Sequence, residues 1–109
     1  MRESEPVSDQ VFHILLSLAE GPRHGYGIIQ AVEDRTGGAF TIGSGTLYST
    51  IKRMEGAGWV KRVKRPDVED PRRKYYGLTV AGRGVMLAEA RRLTELAAYA
   101  RELLPEGRS

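Results

Sequence analysis

Val11, Ile14, Leu15 and Leu18 fall at i, i+3, i+4 and i+7, a spacing that lays an apolar stripe along one helix. Phe12 and Leu16 widen the stripe, which predicts a deeply packed first helix. Ser8 or Asp9 can cap its start, and Glu20-Gly21-Pro22 stops it, because glycine suits a C-terminal cap and proline cannot donate the next backbone bond. A short second helix begins near Tyr26, presents Ile28, Ile29 and Val32 on one side, and breaks at Thr36-Gly37-Gly38. Phe40 and Ile42 are suited to anchor the next loop in the core. Behind Ser44, a candidate N-cap, Leu47, Ile51 and Met54 are spaced four and three apart and predict a third helix over about 45–57. Its other side carries Thr46, Ser49, Thr50, Lys52 and Arg53, a row of hydrogen-bond donors with no apolar residue among them.

After Gly56-Ala57-Gly58 the pattern turns to β character over 59–65 and again over 72–78, with the turn-prone segment 66–71 between. Trp59 and Val63 share one face while Val60 takes the other, which predicts a hairpin packed at its base and solvated at its charged tip. Thr79 then caps a last helix from about Val80 to Leu104, ended by Pro105 and Gly107. At ~1.5 Å per residue this helix is nearly 40 Å long. Met86, Ala90, Leu93, Leu96, Ala97, Ala100, Leu103 and Leu104 form its apolar stripe. Half of such a helix must overhang a small core, and the commonest cover for an overhanging amphipathic helix is a second copy of itself.

A chain of 109 residues is one domain's worth and hides roughly 65% of its unfolded surface, which leaves no room for a separate catalytic domain. The absence of cysteine excludes disulfides, thiolate zinc sites, iron-sulfur clusters and a cysteine nucleophile. The longest apolar run is Leu96 to Ala100, so neither a signal peptide nor a membrane span is expected, and the expected compartment is the cytoplasm. Net charge is +3, but nine basic residues face four acids between Lys52 and Lys74, while the rest of the chain carries an acidic excess. A concentrated basic segment is the footprint of a polyanion partner, or else a solvated basic hairpin.

Enzyme chemistry finds little footing. His13 and His24 lie eleven apart with no acid pair beside them, so neither a zincin site nor a catalytic triad emerges. Gly43-Ser44-Gly45 lacks the lysine of a phosphate-binding loop. No catalytic activity, cofactor or metal centre is expected.

Three helices, a basic hairpin and a terminal helix follow the order of a winged helix-turn-helix. A donor-rich helix face can enter the major groove, about 12 Å wide, where base edges offer acceptors. An arginine-tipped hairpin suits the phosphate backbone or minor groove alongside. The expected fold is therefore mainly α with a two-stranded β wing: residues 1–79 form a winged helix-turn-helix, and residues 80–109 a long C-terminal dimerisation helix and tail.

Three ordered blocks sharpen this expectation. They are His24-Gly25-Tyr26-Gly27-Ile28, then Gly45-Thr46-Leu47-Tyr48-Ser49-Thr50-Ile51-Lys52-Arg53-Met54-Glu55 ending in Gly58-Trp59-Val60, and Arg72-Arg73-Lys74-Tyr75-Tyr76-Gly77-Leu78-Thr79-Val80-Ala81-Gly82. Over about residues 10–85 the chain resembles the PadR family of bacterial transcriptional regulators. The resemblance implies a dimeric winged-helix repressor, and the single C-terminal helix matches the family's compact branch. Gly77 and Val80 stand where members often carry charged or polar residues, and Ile51 and Met54 replace commoner leucines.

The expected DNA-contacting residues are Tyr26, Ser44, Thr46, Tyr48, Ser49, Thr50, Lys52 and Arg53, with Lys64, Arg65, Arg72, Arg73 and Lys74 on the wing. Tyr26 either reaches a phosphate or packs its own helix, and His24 reads as a structural loop residue. Trp59 and the Tyr75–Tyr76 pair read as core at the hairpin base. The expected partners are a pseudo-palindromic double-stranded operator, a second copy of the chain, and a hydrophobic or aromatic small-molecule effector acting beside Met86, Leu93, Ala97 and Tyr99; no membrane is involved. The competing reading is a winged-helix protein-interaction module that does not bind DNA. Double-stranded RNA fits less well, because the A-form major groove is too narrow for a helix.

Overall fold

The computed structural model describes residues 6–64 and 72–104, which form four helices and three short strands. Helix α1 (Asp9–Ala19) starts where the Ser8 hydroxyl accepts the backbone N–H of Val11 at 3.2 Å. It buries Val11, Ile14, Leu15 and Leu18, as their spacing predicts. Phe12 and Leu16, expected to lie deep, are half-buried at the edges of that stripe.

A two-residue strand β1 (Arg23–His24) leads into α2 (Gly25–Thr36), whose Ile28 and Val32 are fully buried. Helix α3 (Ser44–Gly56) follows a loop that Ile42 pins into the core and Phe40 packs against it. Strands β2 (Val60–Val63) and β3 (Tyr75–Leu78) pair antiparallel in the register Val60 to Leu78 and Val63 to Tyr75. The wing is thus present, with an addition: β1 pairs with the other edge of β3, giving a three-stranded sheet in the order β1-β3-β2. Two residues carry almost no hydrophobic period, so this strand had no signature in the chain. The hairpin tip, including the expected contact Arg65, and the helix-ending Pro105 and Gly107 lie outside the described residues.

Trp59 and Val60 are both buried although adjacent, because Trp59 precedes the strand and turns into the core before the two-residue alternation begins. Helix α4 (Val80–Leu103) is fastened at this point. Thr79 caps it by accepting the Gly82 N–H at 2.9 Å, and the same hydroxyl donates to the Gly58 carbonyl at 2.6 Å. A Cβ on Gly82 would lie 2.1 Å from the Trp59 carbonyl oxygen, so only glycine lets the helix approach the α3–β2 turn this closely.

From there α4 lays Gly82, Val85 and Glu89 on the body, with Met86 and Ala90 half-buried beside them. Glu89 is nearly enclosed. It accepts from the Arg92 guanidinium through both carboxylate oxygens and from the backbone N–H of Val7. Beyond Arg92 every described side chain of the helix is exposed. Among the described residues no helix is long and apolar enough to cross a membrane.

Candidate nucleic-acid interface

The two sides of α3 divide sharply. Leu47, Ile51 and Met54 are at most 1% exposed, and burying each stabilises the fold by roughly 1.5 to 3 kcal/mol. Thr46, Tyr48, Ser49, Lys52 and Arg53 face solvent, as expected.

Thr50 does not join them. It is buried, and its hydroxyl accepts from Gln10 Nε2 of α1 at 2.6 Å, so it ties two helices together. The physical reason is position: Thr50 follows Leu47 by three residues and precedes Met54 by four, which places it on the packed side of the 3.6-residue repeat.

Ser44 is also displaced from its expected role. Helix α3 begins one residue earlier, with Gly43 in extended geometry as N-cap and no side-chain cap bond, so Ser44 is an exposed first-turn residue.

Tyr26, left between two readings by the sequence, is 63% exposed and therefore does not pack its own helix. His24 has more to do than the sequence suggests. Its Nδ1 accepts the Gly27 backbone N–H at 3.1 Å and caps α2, while its ring meets Tyr75 edge-on at 5.3 Å between centroids. Burial, and then the nearby Arg73 charge, hold its pKa below the ordinary value.

Gly25 is required by its neighbour. A Cβ there would fall 2.2 Å from the Tyr48 hydroxyl, so the tyrosine of α3 rests on the bare backbone at the start of α2.

These residues border a cavity of about 580 Å³ where α2, α3 and the wing meet. His24, Gly25, Tyr26 and Tyr48 line one side, and Arg72, Arg73, Lys74 and Tyr76 the other. Among the described residues the lining holds three cations, a composition that favours an anion. Lys64, at the outer end of the β2 arm, is exposed but does not line the cavity.

Of the other expected surface, Met86 and Ala90 are partly covered by the body, while Leu93, Leu96, Ala97, Ala100, Leu103 and Leu104 are all exposed. Leu87 and Tyr99 add to the uncovered apolar area.

Sequence reasoning passed over Gly25 as a platform, His24 as a cap and Glu89 as an anchor. A glycine following a potential cap, and an acid four residues after Val85 with an arginine three further on, were the available signals.

This arrangement of helices, sheet and wing defines a winged helix-turn-helix protein with an extended C-terminal helix. The family model for the PadR-like transcriptional regulators matches residues 14–88, and the chain belongs to that family. It is 35% identical over 97 residues to a transcriptional regulator of Mycobacterium tuberculosis, covering 89% of this chain and 86% of that one. An uncharacterised 37.1 kDa protein of a Streptomyces fradiae transposon is 36% identical over 90 residues; the match covers 83% of this chain but 24% of that protein's length. Among solved structures, Bacillus subtilis PadR in complex with operator DNA superposes with a TM-score of 0.69 at 19% identity, covering 95% of this chain and 63% of that one.

Proposed function

We propose that this chain is a cytoplasmic, homodimeric repressor that reads a pseudo-palindromic DNA operator with α3 and the wing. The observation that carries the reading is the basic cavity running onto the exposed helix face of Thr46, Tyr48, Ser49, Lys52 and Arg53. Thr46, Ser49, Lys52 and Arg53 present donors to base edges and phosphates, Ser44 and Tyr48 stand at the groove rim, and Tyr26, Lys64, Arg72, Arg73 and Lys74 contact the backbone. That Bacillus subtilis PadR, of the same fold, is found in complex with operator DNA supports a DNA partner.

In the same reading residues 1–79 recognise DNA and residues 80–109 assemble the dimer. Each exposed leucine on α4 forgoes roughly 1.5 to 3 kcal/mol while it stays wet, and a second copy recovers that energy. Dimerisation also fixes the spacing of the two α3 helices. A hydrophobic or aromatic effector lodged beside Met86, Leu93, Ala97 and Tyr99 would alter that spacing and release a regulated neighbouring transporter or stress gene.

Selection from randomised duplexes tests the reading. The expected product is two inverted half-sites about one helical turn, roughly 34 Å, apart. An Arg72→Ala, Arg73→Ala variant should bind every duplex more weakly with a shallower salt dependence, since phosphate contacts release counterions. Unchanged affinity and salt slope would remove the wing from the interface. No preferred duplex at all would favour a protein-interaction module instead.

A further inference from the structure

The cavity between α2, α3 and the wing contains a hydrogen-bond conflict that an added acceptor would resolve. Nδ1 of His24 accepts from the Gly27 N–H, and in a neutral imidazole that places the ring proton on Nε2. Nη1 of Arg73 lies 3.3 Å from Nε2. A guanidinium carries donors only, so the two nitrogens face each other as donors and cannot bond to one another. An oxygen at about 2.9 Å from both would complete the triangle and accept from each.

We propose that His24 and Arg73 together grip one phosphate of the DNA backbone at the mouth of this cavity. The proposal rests on the DNA-binding reading above and deepens it by naming a contact that spans α2 and the wing.

Three features favour an oxyanion as the missing acceptor. Among the described residues the lining supplies Arg72, Arg73, Lys74 and three tyrosines. The imidazole is held in orientation by its cap bond and its edge contact with Tyr75, so its N–H direction is set before any ligand arrives. Its neutral form, which the cap requires, is also the form that burial favours. A backbone phosphate is the oxyanion that the site's position selects. The cavity opens beside the donor row of α3, and a duplex seated on that row carries one strand past the wing. A helix-capping histidine thereby becomes a ruler: the residue that starts α2 also fixes where the backbone passes.

His24→Asn separates the two roles, because asparagine caps a helix as well as any residue but cannot reach with an N–H to the Nε2 position. Full-length wild type, His24→Asn, Arg73→Ala and the double variant are titrated with a selected duplex and with copies carrying one methylphosphonate at each backbone position. The expected result is that His24→Asn folds, its melting temperature lowered only by the lost edge contact with Tyr75, and loses roughly tenfold in affinity, as for one hydrogen bond to a charged group. One methylphosphonate per half-site should weaken wild type most, His24→Asn and Arg73→Ala each less, and the double variant not at all. Equal affinity of His24→Asn and wild type overturns the grip while leaving DNA binding intact. So does a loss that is uniform over all methylphosphonate positions, which would mark a structural effect. Inorganic phosphate that displaces the duplex from wild type at low millimolar concentration, but not from His24→Asn, would assign the site to a free anion and overturn the backbone assignment. A wild type that binds no duplex overturns the DNA reading itself.

Discussion

The outward side of α3 and the outer part of α4 are both uncovered, yet the first presents Thr46, Ser49, Lys52 and Arg53 and the second Leu93, Leu96, Tyr99 and Leu103. Water satisfies the donors of α3 as well as a ligand would, so that surface is stable alone and can exchange partners reversibly. Water does not satisfy the leucines of α4. The two faces therefore differ in what they require of the cell: one waits for a ligand, the other calls for a lasting cover. On the proposed reading, one chain separates recognition from assembly by the polarity of two faces.

The largest expected effect concerns the body that carries both faces. Leu47 is fully buried on the inner side of α3, and Leu47→Ala should cost about 2 to 5 kcal/mol of unfolding free energy. Trp59, the one tryptophan of the sequence and a buried one, reports the transition in urea. A cost below roughly 1 kcal/mol, the range of a surface change, would show that α3 is not held by its inner stripe.

Glu89→Gln probes the point at which α4 leaves the body, and a smaller cost of roughly 1 to 2 kcal/mol is expected, since the charge-assisted bonds weaken while the half-exposed Arg92 keeps access to water. The hydrogen bonds from Arg92, ahead of the one from Val7, hold the Glu89 pKa below its ordinary 4.5. Its ionised form therefore stabilises the fold above pH 4.5, and that contribution is lost as the pH falls through the lowered value. The variant should show a flatter fall in stability below pH 4.5. Part of the fall should remain, because Arg35 and Arg23 lower Glu20 in the same way. Superimposable acid profiles would place the anchor elsewhere. His24 acts in a separate window: its lowered pKa makes the neutral ring the stabilising form, so its contribution is present above pH 6.5 and lost on acidification below it.

The smallest effect on the body should come from Leu93→Asp with Leu96→Asp. Both side chains lie beyond the last anchored turn, so Trp59 emission should stay that of a buried indole and monomer stability should change by less than about 0.5 kcal/mol. Sedimentation is where the change should appear, as a monomer in place of a dimer. A variant that still sediments as a dimer would move the interface off the outer helix and erase the proposed contrast between the two faces.

The helices and the wing were legible because their apolar positions repeat: Ile14 and Leu18, Ile28 and Val32, and Leu47 and Ile51 sit where the period puts them, all buried. At Thr50 side-chain type overrode that period: a hydroxyl suggested the polar face while its place in the repeat put it beneath. Glu89 is the converse, an acid on the buried side made tolerable by Arg92, three residues on, and by the Val7 N–H, a long-range contact that no local spacing encodes. Strand β1 and the resting of Tyr48 on Gly25 depend on contacts between residues more than twenty positions apart, and no local spacing encodes such contacts.

The anchoring of α4 at Glu89 has a mechanical side. The thirteen residues from Arg91 to Leu103 make a rod of about 20 Å beyond that anchor. A rod is a lever, and a 10° swing about its fulcrum moves the tip by about 3.5 Å, close to the ~3.4 Å rise of one base pair. Stiffness where the helix leaves the body, at Glu89 and the residues packed before it, therefore sets how firmly the tip is registered against α3. In the proposed dimer on DNA, loosening that fulcrum would blur the register by a whole base step without disturbing a single residue of the outward side of α3.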